Sequence, residues 1–161
     1  MEWAALFDMQ QKLDTYIEQQ HGLEKKDLFE KKILALFVEL GELANETRCF
    51  KFWSNKAANE KAIILEEYVD NIHFIMSLGL NKGLTFSART LPTENGDLTT
   101  QFNEVFALVL TFQQNPEQTA YESLFIQFLL LGKMLGFSET DIQNAYYEKN
   151  KINFARQDEG Y

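Results

Sequence analysis

Proline and glycine are scarce in this chain of 161 residues, which holds two prolines and eight glycines. Because both residues interrupt regular secondary structure, their scarcity favours long helices over most of the chain. Cysteine is also scarce: the single residue, Cys49, excludes an intramolecular disulfide. With only two histidines, His21 and His73, we do not expect a zinc site of the Cys/His type.

Basic residues are few as well. The 15 Lys and Arg stand against 24 Asp and Glu, which gives a formal net charge of −9 at neutral pH. A protein that binds nucleic acid or an anionic membrane needs a basic face, and none is visible. The chain has no run of about 18 apolar residues, and its first residues do not resemble a signal peptide. We therefore expect a cytoplasmic protein that binds neither nucleic acid nor membranes, and that would need a cation to bind a phosphorylated substrate.

The spacing of apolar residues, which make up 45% of the chain, predicts an all-α fold. We expect one domain over residues 1–161, a compact bundle of about six helices. The predicted helices cover residues 2–20, 28–48, 56–80, 98–114, 116–135 and 138–152, with a polar loop at 81–97. The last residues, 153–161, lose the apolar period and predict an ordered tail rather than a helix.

The predicted fifth helix is apolar almost all round, with residues such as Phe125, Leu129 and Leu131 on different sides. A helix of this kind is buried on several sides. It lies either at the centre of a monomer or with one side against a second subunit, and the sequence leaves both arrangements open.

A strip of acids on the second helix is the most informative feature. At about 100° per residue, Glu39, Glu42 and Glu46 share a narrow arc of an otherwise apolar helix, and the third helix carries Glu67 and Asp70. Like charges at this spacing repel, and the cost grows when they lose water without gaining a cation. If the two helices face each other, their carboxylates form the ligand set that Mg²⁺ prefers. The alternative is a solvated acidic face, and spacing alone does not decide between them.

Two segments resemble motifs of a known family. Glu39-x-x-Glu42 followed by Glu67-x-x-Asp70 resembles the metal motif of the all-α nucleoside triphosphate pyrophosphatases, which include the MazG-like enzymes and the dimeric dUTPases. The C-terminal segment is more specific, because it resembles the closing motif of the dimeric dUTPases, K-N-x-x-N-x-x-R-Q-D-x-G-Y. The matching positions are Lys149, Asn150, Asn153, Arg156, Gln157, Asp158, Gly160 and Tyr161.

Two shorter segments carry the likeness further. The stretch around Gln11 resembles the family's first motif, in which a glutamine and an asparagine three residues later contact the uracil. Gln11 fits this motif, and its partner position is Asp14, an acid where better-known members carry asparagine. The connector from Phe50 to Trp53 resembles the family's aromatic segment, whose tryptophan stacks near the base.

This resemblance implies a homodimeric α bundle that hydrolyses dUTP to dUMP and pyrophosphate, and it also allows dUDP as a substrate. It implies Mg²⁺ as the cofactor, with Mn²⁺ as a substitute, held by Glu39, Glu42, Glu67 and Asp70. One catalytic carboxylate, Glu42 or else Glu39, would orient or deprotonate the attacking water. The implied phosphate ligands are Lys149, Asn153 and Arg156, and the tail at 153–161 would contribute to the active site. The implied base contacts are Gln11, Asp14 and Trp53.

Two other hypotheses remain at this point. Asp14 can accept a hydrogen bond from an exocyclic amine, so the enzyme could act on dCTP or on several nucleotides instead. The apolar fifth helix and the acidic surface are also compatible with a non-catalytic helical dimer that binds a partner protein. We interpret His73 as a core histidine, and Glu46 and Glu66 as acids that support the cluster or face solvent.

Overall fold

The computed structural model describes residues 1–161 as six helices without a strand. The helices are α1 (Trp3–Gln20), α2 (Phe29–Thr47), α3 (Lys61–Asn81), α4 (Leu98–Gln114), α5 (Gln118–Met134) and α6 (Glu139–Asp158). The predicted all-α fold is therefore confirmed. No single helix is long and apolar enough to cross a membrane, although α5 and α6 taken together pass that test with a bend of 107° between them.

The central helix is α3, which contacts α1, α2, α5 and α6, whereas α4 packs against α2 and α5. Most of the second half of α3 is buried. The sequence left open whether α5 is central or lies against a second subunit, and α5 buries its aromatic residues Tyr121, Phe125 and Phe128 completely. The acids of α2 and the acids of α3 lie on the most extensive helix pair of the fold.

Helix ends agree with the predictions where a local signal fixes them. α1 ends at His21, and Gly22 follows with φ 63°, the left-handed conformation that closes a helix most easily with glycine. α6 begins after Ser138, whose side chain and that of Asp141 form a capping box. In both places the signal is local, so the sequence shows it directly.

Two helix starts were predicted wrongly. α3 begins at Lys61 rather than at residue 56, and the hydroxyl of Ser54 accepts a hydrogen bond from Nη2 of Arg48 at 2.8 Å instead of capping the helix. Residues 54–60 consequently run without regular structure. α5 begins at Gln118 rather than at Pro116, two residues after the predicted start.

The predicted tail is also wrong, since α6 continues through it to Asp158. Contacts with α1 hold these last turns: the hydroxyl of Tyr16 bonds to Asp158, and the ring of Tyr16 lies 5.3 Å from that of Phe154. Nε2 of His21 lies 2.9 Å from Oε1 of Gln157. Tertiary contacts of this kind stabilise a helix that lacks an apolar period of its own.

Two helical glycines should respond to alanine in opposite directions. A Cβ on Gly132 would lie 2.4 Å from the hydroxyl of Tyr68, which donates to the backbone oxygen of Phe128, so Gly132→Ala should destabilise the fold by about 1–3 kcal/mol. Gly41 has nothing within 4 Å of the same position, so Gly41→Ala should stabilise it by roughly 0.5–1 kcal/mol. Urea unfolding of both variants measures the difference, and equal shifts would contradict this helix crossing.

Candidate active site

The acids of α2 and α3 come together where these helices face each other. Carboxylate oxygens of Glu39, Glu67 and Asp70 lie within 4.8 Å of one another, and all three side chains are partly buried. We call these three residues the carboxylate cluster. Oxygen ligands gathered in this way suit a hard divalent cation.

The charges of the carboxylate cluster are poorly compensated. Burial, together with the charges of Asp70, Glu42 and Glu67, raises the pKa of Glu39 to about 7. Burial also raises the pKa of Glu67 and that of Asp70, the latter even though Lys149 opposes the shift. These acids resist ionisation because too little positive charge lies near them. A bound cation would supply that charge and relieve their mutual repulsion, so these residues fit a metal ion.

Glu42 lies at the outer edge of the carboxylate cluster. Its side chain is exposed, yet its charge is close enough to raise the pKa of Glu39. Glu42 also lines a shallow recess with Glu46 and Glu67. Glu46 accepts a hydrogen bond of 2.7 Å from Nδ2 of Asn59 and so ties the irregular segment before α3 to α2.

A cavity of about 270 Å³ opens beside the carboxylate cluster, between α1, α2, α3 and α6. Six predicted site residues line it: Asp14, Glu39, Asp70, Lys149, Asn153 and Arg156. The remaining lining residues are Gln10, Leu13, Ile17, His73, Phe74, Ser77, Gln157 and Tyr161. The structure therefore brings acids of α2 and α3 and cations of α6 to one cavity.

The two cations of the cavity differ in their surroundings. Lys149 is almost buried and lies 2.9 Å from Oδ2 of Asp70. Burial alone would lower the pKa of Lys149, but hydrogen bonds to Asp70 and Glu66 raise it, so the amine stays charged. Arg156 makes no ion pair, and its guanidinium lies 5.3 Å from the ring centre of Tyr161.

A buried hydrogen-bond network joins α1, α3 and α6 beside the cavity. Oε1 of Gln10 accepts a bond from the hydroxyl of Tyr146 at 2.9 Å and lies 2.7 Å from Nδ1 of His73. Nε2 of Gln10 donates to Oδ1 of Asp14 at 2.8 Å. Oδ2 of Asp14 lies 3.9 Å from Nζ of Lys32. Because Asp14 accepts from the amide nitrogen, the amide oxygen of Gln10 faces His73, whose Nδ1 then carries the proton.

Gln11 does not reach the cavity. Its side chain is exposed and donates to Thr15 at 3.3 Å, so its contact with the base stays a prediction. Gln10 lines the cavity, because it stands four residues before Asp14 and on the buried face of α1. The apolar spacing of Leu6 and Leu13 was the signal that could have shown this.

Trp53 also lies away from the cavity. It is 64% exposed, and its ring lies 5.1 Å from that of Phe52 and 5.9 Å from that of Phe50. Trp53 does not line this cavity, and its contact with the base stays a prediction. His73, predicted as a core histidine, is buried, but its ring also lines the cavity. That second role depends on how α3 faces α1, and no motif signals it.

The comparison with protein families identifies the chain. A family model described as dUTPase matches residues 2–161, nearly the whole length. No curated protein matches the sequence. The match covers the acids of α2 and α3 and the closing motif on α6, and it sets aside the hypothesis of a non-catalytic dimer. The chain therefore belongs to the dUTPase family and is a dUTP diphosphatase.

Proposed function

We propose that the chain hydrolyses dUTP to dUMP and pyrophosphate with Mg²⁺ held by Glu39, Glu67 and Asp70, and with Glu42 as a further ligand. The observation that carries this proposal is the carboxylate cluster beside a cavity that two of its members, Glu39 and Asp70, line together with Lys149. Carboxylates alone would repel a triphosphate. A cation between them and the substrate reverses that repulsion.

When bound, the cation would neutralise charge on the phosphates and make hydroxide accessible near neutral pH. Glu42, exposed beside Glu39, would orient the attacking water or take its proton. Lys149, Asn153 and Arg156 would bind phosphate oxygens, the arginine through its planar guanidinium. Since these residues line the cavity of their own chain, we propose that the end of α6 acts in cis.

In the same cavity, Gln10 and Asp14 would contact the base, with Gln10 replacing Gln11 in this role. A panel of dUTP, dCTP, dTTP, dUDP and UTP with pyrophosphate or phosphate readout tests the base preference. We expect dUTP to be turned over fastest. Faster turnover of dCTP would overturn the uracil preference, and it would support Asp14 as an acceptor for the cytosine amine.

We also propose that two copies of the chain form a homodimer. Large apolar side chains are exposed on α2 and in the connector after it: Leu34 (65%), Val38 (51%), Phe52 (93%) and Trp53 (64%). Exposed apolar patches commonly mark interaction sites. A predicted contact of Trp53 with the base would then cross the interface. Light scattering that shows only a monomer at micromolar concentration would contradict this assembly.

A cytoplasmic location without nucleic-acid or membrane partners is likewise part of the proposal, and it rests on the acidic composition. The net charge of −9 repels phosphate backbones and anionic lipids alike. Fractionation of cells that express the full chain would test it, since recovery with the membrane fraction would contradict it.

Binding of Mg²⁺ should weaken below neutral pH. Because the pKa of Glu39 is about 7 without metal, the residue holds a proton at pH 6 that the cation must displace. The apparent Kd for Mg²⁺ should thus be about tenfold higher at pH 6 than at pH 8, which means weaker binding at pH 6. Calorimetric titration at both pH values measures this ratio. In Glu39→Gln, the affinity for Mg²⁺ that remains should no longer depend on pH in this range. Equal affinity at pH 6 and pH 8 would contradict a metal ligand that titrates near neutrality.

A further inference from the structure

The ammonium group of Lys149 is shared between two acids of α3. Its Nζ lies 2.9 Å from Oδ2 of Asp70 and 3.0 Å from Oε1 of Glu66. The side chain of Lys149 is 9% exposed, whereas that of Glu66 is 58% exposed. A nearly buried cation therefore stands between a solvent-facing acid and a member of the carboxylate cluster.

Asp70 has two uses that conflict. It belongs to the carboxylate cluster, whose oxygens lie within 4.8 Å of one another. It also makes the shorter of the two ion-pair contacts of Lys149. A divalent cation on the cluster and the ammonium of Lys149 would compete for the same carboxylate. Two positive charges this close repel strongly where water is partly excluded, so a bound divalent cation should weaken the contact between Lys149 and Asp70.

Glu66 offers the ammonium another partner. It stands one helical turn before Asp70, so both carboxylates lie on the same side of α3. Lys149 already touches both, and a shift toward Glu66 requires only side-chain rotation. Glu66 does not line the cavity and lies outside the carboxylate cluster. A cation bound to the carboxylate cluster therefore leaves Glu66 free to pair with Lys149.

We propose that Glu66 is a positioning residue that keeps Lys149 beside the cavity when a divalent cation takes Asp70. This inference rests on the proposed function, because it takes the carboxylate cluster as the metal site. In the metal-free enzyme Lys149 compensates part of the negative charge of Asp70. After metal binding, Glu66 retains the ammonium within reach of a substrate phosphate instead of releasing it to solvent.

A double-mutant cycle on Mg²⁺ binding tests this role without substrate. In Glu66→Gln the ammonium has only Asp70 as partner, so Mg²⁺ affinity should fall by about three- to tenfold. Lys149→Met removes the competitor, so affinity should rise. In the Lys149→Met background the added Glu66→Gln change should alter affinity by less than about twofold. Glu66→Asp, which keeps the charge, should restore part of the loss.

Glu148→Gln is the matched control, since Glu148 is an exposed acid next to Lys149 in sequence that pairs with Lys151 instead. It should change Mg²⁺ affinity far less than Glu66→Gln. An equal loss from Glu66→Gln with and without Lys149, or an equal loss in Glu148→Gln, would mean that Glu66 acts only through its charge and would overturn the inference. Absence of Mg²⁺ binding by the unaltered chain would instead overturn the metal site itself, and the inference with it.

Discussion

Glu39→Gln should lower kcat/KM for dUTP hydrolysis by about a thousandfold or more while the helical fold persists. Glu39 is the only member of the carboxylate cluster that comes from α2, so the amide leaves Glu42 as the only proposed metal ligand on that helix and weakens the link that the metal would make between α2 and α3. The amide also relieves repulsion in the metal-free protein, because the pKa of Glu39 is raised by burial and by its acidic neighbours. Pyrophosphate release and circular dichroism measure the two effects.

The matched control lies on the same helix. Glu30, in the first turn of α2, accepts a hydrogen bond of 2.7 Å from Nε2 of Gln113 and lies outside both the cavity and the carboxylate cluster. Glu30→Gln should leave the rate within about twofold of the unaltered chain. Mg²⁺ should raise the melting temperature of the control and should raise that of Glu39→Gln much less. An undiminished rate in Glu39→Gln would remove the carboxylate cluster from the mechanism.

The fold could be predicted largely because helices carry their signal locally. Apolar spacing placed all six helices, and Gly22 and Ser138 marked the ends that a cap decides. The extent of α6 was missed because its last turns depend on contacts with Tyr16 and His21 of α1. Tertiary contacts between distant segments do not produce an apolar period in the sequence of the segment that they stabilise.

The parts of the site that follow from the helical period could be predicted from the sequence, and the parts that depend on how helices pack could not. The spacing of the acids sets which face of α2 and α3 they share, and the structure places Glu39, Glu67 and Asp70 together. The choice between Gln10 and Gln11 depends on the rotation of α1 against α3, which a short motif does not fix. The pairing of Lys149 with Asp70 depends on how α6 packs against α3, and sequence distance does not report it.

Arg156→Ala should lower kcat/KM for dUTP by about a hundredfold, mainly through the loss of a charged, two-point contact to phosphate. The residue lines the cavity, and its charge is near enough to lower the pKa of Asp70. Because Arg156 makes no ion pair, the fold should lose little, with a melting temperature within about 2 °C of the unaltered chain. Arg156→Lys should recover only part of the rate, since an ammonium cannot form the planar double contact.

Lys151→Ala provides the comparison on the same helix. Lys151 is exposed, pairs with Glu148 at 2.7 Å and does not line the cavity. The substitution Lys151→Ala removes one positive charge, as Arg156→Ala does. A general effect of net charge on substrate attraction would therefore lower the rate equally in both variants. We expect Lys151→Ala to keep nearly full activity, with a similar salt dependence to the unaltered chain. Equal losses in the two variants would show that α6 attracts the nucleotide by its overall charge and that Arg156 makes no specific contact with it.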